Sequence, residues 1–388
     1  MKTKSEYEVV RYRPEHKRAV AELQRHLWTS DVSMNIAYLE WKHERNPYLS
    51  EPLIYLACCD GKPVAMRSMF GVNWETGTPP MRYPGICPDD MVIEPAHRNI
   101  GLATVLMKAV FKDLETLGHD RVFSLSAGKI TRLTSLAMGW RAVGSVRPHR
   151  WRSSSAERLQ RLGNALRRTT FLWRISDLVP HREWGREQCS IHELCNPQGM
   201  PARRIGGNLT VERDAKPGDM ARLISRIEYD GRIRHVRDAG YLEWRFRNPI
   251  HRYIFLYRWD GDGLGGYLVL QQYLSDLSDG LRVNIVDWEG TSLRIRAELL
   301  QAALRLHPFF DLTIWTVSLG EDSMRLLGDA GFRPVPEGQE GAGVGQEHPC
   351  LLVRGIPGGP AAPEPSFGGR RLEDISQWDI RMLYSMQG

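Results

Sequence analysis

The chain has 388 residues, 42% of them hydrophobic and 25% charged, an ordinary globular balance that excludes wholesale disorder and exceeds what one core normally organises. No stretch approaches the roughly 20 consecutive apolar residues of a membrane span, and MKTKSEYEVV lacks the apolar centre of a signal peptide, so the expectation is a cytoplasmic protein with more than one domain. The net charge of +6 is matched by the segment from Arg150 to Arg186 alone, where nine Arg stand against Glu157, Asp177 and Glu183; this is a local basic patch, and with no zinc-finger or RNP-like motif it does not predict a nucleic-acid partner.

In chain order, YEVVRY reads as a strand, followed by a helix from Pro14 with Ala19, Val20 and Leu23 at helical spacing. A short helix surrounds YLEW at 38–41. A hairpin follows: LIYLACC, the turn Asp60-Gly61, then PVAMRSMF. Next come the strand DDMVIEP, the amphipathic helix LATVLMKAVFKDLETLG, the strand RVFSLS and a helix ending at Met138-Gly139. After a connecting stretch the same order returns: LTVER, a helix, YLEW at 241–244, the hairpin YIFLYRW–LGGYLVLQQ, RVNIVDW, LRIRAELLQAALRLH, DLTIWTVS and a helix ending at Ala330-Gly331.

The return is also literal. Tyr38-Leu39-Glu40-Trp41-Lys42 with Arg45-Asn46-Pro47 matches Tyr241-Leu242-Glu243-Trp244-Arg245 with Arg247-Asn248-Pro249, at the same separation that links Pro14 to Pro217. Gly139-Trp140 answers Gly331-Phe332 at a slightly shorter one, as a loop deletion in the second copy would give. Collinear matches of this kind indicate a tandem duplication. The expected layout is a first domain over 1–150, a basic helical linker over 151–206, a second domain over 207–356, and a flexible segment with a C-terminal tail over 357–388. Each domain is an α+β unit, a mixed and mostly antiparallel sheet layered between helices. Trp41 and Trp244, present in both copies, are expected to serve packing.

The stretch that carries chemistry is Val92 to Thr104. A strand ends at Pro95, and a turn holding Arg98, Asn99, Ile100 and Gly101 opens into a helix at Leu102, Ala103 and Thr104. Small residues at 101 and 103 let a ligand approach the backbone, and the free amides and dipole of a helix start suit a diphosphate. Such a strand–turn–helix serves several cofactors; the form R-x-x-G-x-A narrows it.

On Arg98, Gly101 and Ala103 the chain resembles the GNAT acyltransferase superfamily, over roughly residues 7–147, with the second copy inheriting the fold. The resemblance implies acetyl-CoA or another acyl-CoA as co-substrate and no metal. It implies direct acyl transfer to a primary amine of a small molecule or amino sugar. The pantetheine arm is then expected along Met91, Val92 and Ile93, with a backbone N–H near Met91 or Val92 polarising the thioester. Asp89 and Asp90 begin that strand and point to opposite faces; Asp90 is the first choice as general base and Asp89 the second, against a solvated pair at a strand start. Ser126 could hold substrate or water, or be a turn residue. Glu94 could equally be a helix-dipole partner. Where many members of the family carry an acidic tyrosine, this chain has Ser135, which leaves the proton donor open.

An ungapped alignment places Thr291, Arg294 and Arg296 at Arg98, Gly101 and Ala103, so the second copy is expected to have lost the coenzyme site to arginine side chains. The linker helix, with Leu159, Leu162 and Leu166 on one face, would suit an acidic acyl carrier protein or an anionic surface as well as plain solvent. A carrier-bound long-chain donor and a non-catalytic acyl-CoA-binding regulator are the rival readings. The six cysteines, at 58, 59, 87, 189, 195 and 350, have no C-x-x-C spacing and read as reduced, buried thiols. In the tail, Trp378, Ile380 and Leu383 are placed to dock back onto the protein.

Overall fold

The structure, a computed structural model, describes residues 7–126, 129–152, 203–261, 263–273, 282–306, 311–336, 348–356 and 366–385. The basic helix expected in the linker lies outside the described residues.

The first half runs β1 (Glu8–Arg11), α1 (Lys17–Leu23), α2 (Val32–Leu39), β2 (Leu53–Cys59), β3 (Lys62–Thr76), β4 (Met81–Ile93), α3 (Leu102–Thr116), β5 (Arg121–Ser126), α4 (Lys129–Ala137), β6 (Arg141–Ser145) and β7 (Pro148–Trp151). Each element expected from the sequence is present. The hairpin β3–β4 is longer than Phe70 and Asp89 suggested, because Val72 and Trp74 continue the alternation inward and are fully buried. α3 puts Leu102, Leu106, Val110 and Leu114 on one stripe against the sheet, which is why this segment is a helix and where it docks.

The second half repeats the plan with β8 (Arg203–Gly206), β9 (Leu209–Glu212), α5 (Pro217–Arg226), β10 (Arg234–His235), α6 (Ala239–Arg245), β11 (His251–Asp260), β12 (Gly263–Tyr273), β13 (Arg282–Gly290), α7 (Leu293–Leu306), β14 (Asp311–Trp315), α8 (Glu321–Asp329) and β15 (Arg333–Pro334). After it come β16 (Cys350–Gly355), a small hairpin of β17 (Ser366–Phe367) and β18 (Arg370–Arg371), and the tail to Ser385.

The two sheets exchange strands. The first has the order β1-β2-β3-β4-β5-β16-β6, so β16 from the end of the second copy sits between β5 and β6. The second has the order β15-β7-β14-β13-β12-β11-β9-β8, so β7 from the end of the first copy sits between β14 and β15. β10 adds to β3 through Arg234↔Glu75 and His235↔Trp74. The expected boundaries at 150 and 356 are therefore corrected: the second half gives β10 and β16 to the first sheet, and the first half gives β7 to the second. Neither β7 nor β16 carries an alternating pattern that would have marked it or named its partners in the sequence.

Trp41 and Trp244 do serve packing, and they do so on each other. Their rings stack with centroids 4.9 Å apart and 12° between planes. The indole N–H of Trp41 donates to the carbonyl of Trp244 at 2.6 Å, and that of Trp244 donates to the carbonyl of Trp41 at 2.9 Å. The reciprocity is what a local two-fold between duplicated helices requires. One aromatic core runs through this contact, from Trp28 and Phe123 in the first half to Phe255 and Trp315 in the second.

The tail is not loose over 366–385. Trp378 and Ile380 are fully buried, and the amides of Ile233 and Asp379 exchange bonds of 2.8 Å with the carbonyls of Gln377 and Ile233. Arg245 donates to the carbonyls of Leu383 and Ser385 at 2.8 and 2.9 Å. The Gly/Pro-rich stretch before it hides an anchored strap. No helix among the described residues is long and apolar enough to cross a membrane.

A chain ending at Arg152 lacks the strand between β5 and β6 and the buried Leu351 and Leu352 it supplies. Expressed alone, this first half should be insoluble or should give a collapsed amide spectrum. A dispersed ¹⁵N–¹H spectrum would show that the exchange is dispensable.

Candidate active site

Pairing between β3 and β4 slips by one residue opposite Arg67 and Ser68, leaving Asp90 as the extra residue of a bulge at φ 38°. Asp90 tolerates this strained backbone because its side chain is fully enclosed and bonded. Lys42 Nζ donates to it at 2.8 Å, Trp28 Nε1 at 3.1 Å and Gln24 Nε2 at 3.1 Å. Burial by itself would raise the Asp90 pKa; the Lys42 ammonium and the neighbouring His43 more than offset this and hold it far below the usual carboxylate range. Asp90, the first choice as base, is thereby corrected: it faces away from the cleft, and its oxygens are committed to holding the bulge. Asp89 does not alternate with it across the bulge: its Oδ2 takes a second bond from the same Lys42 at 2.7 Å, but it is partly exposed and lines the wedge.

The bulge matters because of what happens on the other edge of β4. The parallel pairing of β4 with β5 is confined to Ile86↔Val122. Beyond it Pro88 has no N–H to offer, the bulge turns the strand, and β5 takes β16 on its far side. A wedge opens between β4 and β5. At its outer end the chain passes Pro95 and reaches Gly101, the N-cap of α3, at φ 82°. The amides of Thr104 and Val105 turn back to the Gly101 carbonyl, while those of Leu102 and Ala103 begin the helix and have no acceptor within it. Asn99, at φ 65°, keeps the turn open, and the Arg98 side chain folds back so that Nε donates to the Ile93 carbonyl at 3.0 Å, with the residue exposed. Met91–Ile93 thus leads along one side of the wedge to a bare helix start. This arrangement fits an extended thioester cofactor with a diphosphate at one end.

At its inner end the wedge widens into a small pocket that is partly open to solvent. Its walls include Asp89 from β4, Phe70 and Trp74 from β3, and Phe123 from β5. Four further wall residues come from elsewhere: His235 on β10, Leu351 on β16, and Tyr384 and Ser385 in the tail. Cys87 also lines it, but burial pushes its thiol pKa up, so it stays protonated and is no nucleophile. Ser126 ends β5 with its backbone opposite Cys350, beyond the wall residues Phe123, Ser124 and Leu125. Glu94 caps the turn at Pro95–His97 and lies 3.9 Å from His97 Nε2. Ser135 is buried in α4, and Leu327 stands at its counterpart, so neither copy has the tyrosine.

The sequence concealed Lys42, His235 and Tyr384 as site residues. Lys42 left one trace, a basic residue closing both copies of the YLEW segment. His235 left none.

The second copy repeats the bulge, with Val286 as the extra residue opposite Val269 and Leu270. Its strand-to-helix turn differs in a way that corrects the ungapped alignment. β13 ends at Gly290 and α7 begins at Leu293, so two residues, Thr291 and Ser292, stand where Glu94–Gly101 stand in the first copy. Arg294 and Arg296 lie within the helix, bonded to Glu298 at 2.9 Å and to Ser323 at 3.0 Å; they plug nothing. The turn itself is missing. In addition, Asp287 and Glu289 occupy the positions of Met91 and Ile93, and Arg381 of the tail reaches them at 2.7 and 2.8 Å, joined by Arg237 at 3.1 and 2.8 Å. The strap lies in the second wedge.

The acetyltransferase (GNAT) family model matches residues 18–132. Among solved structures, a conserved protein of Enterococcus faecalis V583 named "Probable N-Acyltransferase" superposes with TM-score 0.55 at 10% identity, over 91% of this chain and 73% of that one. A GCN5-related N-acetyltransferase from Anabaena variabilis superposes with TM-score 0.53 at 13% identity, over 90% and 73%. At such identities the likeness is one of fold, and it spans both halves. No curated protein matches the sequence.

Three buried histidines have their pKa lowered, in each case chiefly by burial: His43, His235 and His251. In the unfolded chain they titrate near 6.5, so below that pH the unfolded state binds more protons and stability falls. The depressed carboxylates Asp90, Asp287 and Asp379 add a loss of the same sign below about pH 4. The urea midpoint should drop between pH 7.5 and 5.5, each histidine costing up to ~1.4 kcal/mol per pH unit. A midpoint that is flat or rises on acidification contradicts the burial of these rings.

Proposed function

We propose that the protein moves an acyl group, acetyl in the first instance, from coenzyme A directly to a primary amine of a small molecule, using the first half alone, where the acetyltransferase (GNAT) family model matches residues 18–132, to bind the donor. What carries this reading is the wedge between β4 and β5, with a bare helix start at one end and a partly open pocket at the other.

Each part has a task for this chain's own residues. The turn Arg98–Gly101 holds the diphosphate, and the free amides of Leu102 and Ala103 donate to it, where the helix dipole favours negative charge. The open backbone of Met91, Val92 and Ile93 aligns the pantetheine arm and offers an N–H to the thioester carbonyl. Coenzyme A supplies the activated acyl group; the protein supplies position and a proton acceptor. As the amine nitrogen bonds to the acyl carbon and the carbon–sulfur bond breaks, the amine proton must leave. Asp89 is the carboxylate in the cavity wall, so the role assigned by sequence to either aspartate falls to it, with Lys42 fixing its orientation. The thiolate departs without a tyrosine at position 135. The second half supplies walls in place of a second donor site, since its turn is shortened and its wedge holds Arg381.

Calorimetric titration with acetyl-CoA tests the donor site. Gly101→Arg should reduce affinity at least tenfold with the melting transition kept, while Arg294→Gly in the second copy should leave affinity unchanged. Unchanged binding in the first variant would remove the assignment. Following free thiol with an amine acceptor, Asp89→Asn should lower kcat by about 10²–10⁴ and leave acetyl-CoA affinity intact; wild-type turnover in that variant would clear Asp89 of the role.

A further inference from the structure

The first half buries a cation that the fold leaves without a partner. Arg67 lies on β3 between Ala65 and Met69, which share its face and are fully buried; its cross-strand neighbours are Tyr55 of β2 and Met91 of β4. Ala65, Met69 and Tyr55 belong to the apolar cluster on which α3 packs, and Met91 packs against its edge. Arg67 is 8% exposed, and among the described residues its guanidinium makes no hydrogen bond and no ion pair. Its Nε is closed off, whereas the two terminal nitrogens are not. A buried guanidinium without acceptors is costly, and such a group is retained where something that binds completes it.

Two observations say where it is directed. Burial lowers the Arg67 pKa to about 10, and the charges that oppose this are Asp89 and Asp90, both of β4 and both already bonded to Lys42. The guanidinium therefore leans toward β4, on the face of the half-buried Met91, whose strand borders the wedge. The second copy supplies a comparison. There the residue opposite Asp287, at the place Arg67 takes opposite Met91, is the fully buried Val269. The copy with the open wedge and the bare helix start has the cation; the copy with the shortened turn and the filled wedge has an apolar side chain.

The acyl transfer read for this site moves one negative charge. Asp89 and Asp90 against Lys42 and Arg67 sum to zero, and His43 beside Asp90 is uncharged because burial lowers its pKa. Arg11 and Asp113, on the α3 side, pair with each other. As the amine nitrogen bonds to the acyl carbon and the carbon–sulfur bond breaks, Asp89 takes the amine proton and the electron pair stays on sulfur. The charge lost at Asp89 reappears on the thiolate, and a fixed cation there stabilises it without reorganisation. Position 135 holds a serine, so no tyrosine at that place protonates the sulfur.

We propose that Arg67 reaches the wedge past Met91 and pairs its terminal nitrogens with the departing thiolate, so that coenzyme A leaves as an anion with no proton donor. The proposal rests on the acyl-transfer reading and adds to it the partner of the leaving group.

The test titrates free coenzyme A into the full chain at neutral pH, where a thiol is mostly protonated in water. Calorimetry reports binding, and ultraviolet absorbance reports the thiolate. The wild-type complex should hold the thiolate. Arg67→Met, which keeps an unbranched apolar stem, should bind coenzyme A as the protonated thiol and lower kcat with acetyl-CoA about 10²–10³-fold at little change in KM. Arg67→Lys, which keeps the charge, should recover the thiolate and part of kcat. Bound coenzyme A without thiolate in the wild type overturns the role of Arg67 and leaves acyl transfer standing; wild-type kcat in Arg67→Met does the same. If Arg67→Met does not fold, the wild-type spectrum still decides. Coenzyme A that does not bind the wild type at all removes the acyl-transfer reading, and this proposal with it.

Discussion

The structure depends on one constraint, that neither sheet is complete without a strand from the other half. β16 fills the place between β5 and β6, and β7 fills the place between β14 and β15. Main-chain pairing is obligatory for buried strands, since an unpaired N–H or C=O in the interior costs as much as a lost hydrogen bond. The exchange therefore fixes the halves as one body in a way that side-chain contacts between two finished domains would not. The stacked, reciprocally bonded Trp41 and Trp244 set the angle at which they meet. His235 and Tyr384 are brought to the first wedge by the same arrangement.

Within that frame the two copies have spent the same plan differently. Lys42 and Arg245 stand at equivalent places after the duplicated YLEW. Lys42 is buried against Asp89 and Asp90 and so holds the strand bulge that opens the wedge. Arg245 is equally buried but holds the carbonyls of Leu383 and Ser385. A planar guanidinium with several donors can clamp two carbonyls of an irregular strap, and a compact ammonium can sit between two carboxylates; the exchange of Lys for Arg fits the two tasks. One copy thereby keeps its wedge open, and the other anchors the peptide that lies in it.

The buried charges of the second wedge follow from the same divergence. Asp287 and Glu289 would be only half compensated if the tail were absent, because Arg237 alone would then meet both of them. Arg381 supplies the second positive charge, and the burial of Asp287, Glu289 and Arg237 makes the arrangement specific to this strap rather than to any apolar segment. A wedge loaded with carboxylates is also hostile to a diphosphate-bearing ligand, so the charge pattern and the shortened turn act in the same direction.

The sequence by itself determined the elements, their order, the duplication and the turn at Arg98–Ala103, because each of these is local. Hydrophobic period, glycine at a left-handed position and a literal repeat are all written in neighbouring residues. It also placed Trp378, Ile380 and Leu383 inside. It did not decide between Asp89 and Asp90, since alternation along a strand fails where a bulge inserts a residue, and the bulge is set by Lys42 and Trp28 from a distant helix and turn. It misplaced the arginines of the second copy because an ungapped alignment cannot see that a turn of several residues is gone. Only the tertiary structure decided which sheet receives β7 and β16, and that His235 and Tyr384 wall the first wedge. Strand pairing and cavity walls join residues more than a hundred positions apart, and such partners are selected by the shape and unsatisfied hydrogen bonds of the folded chain, for which neighbouring residues carry no record.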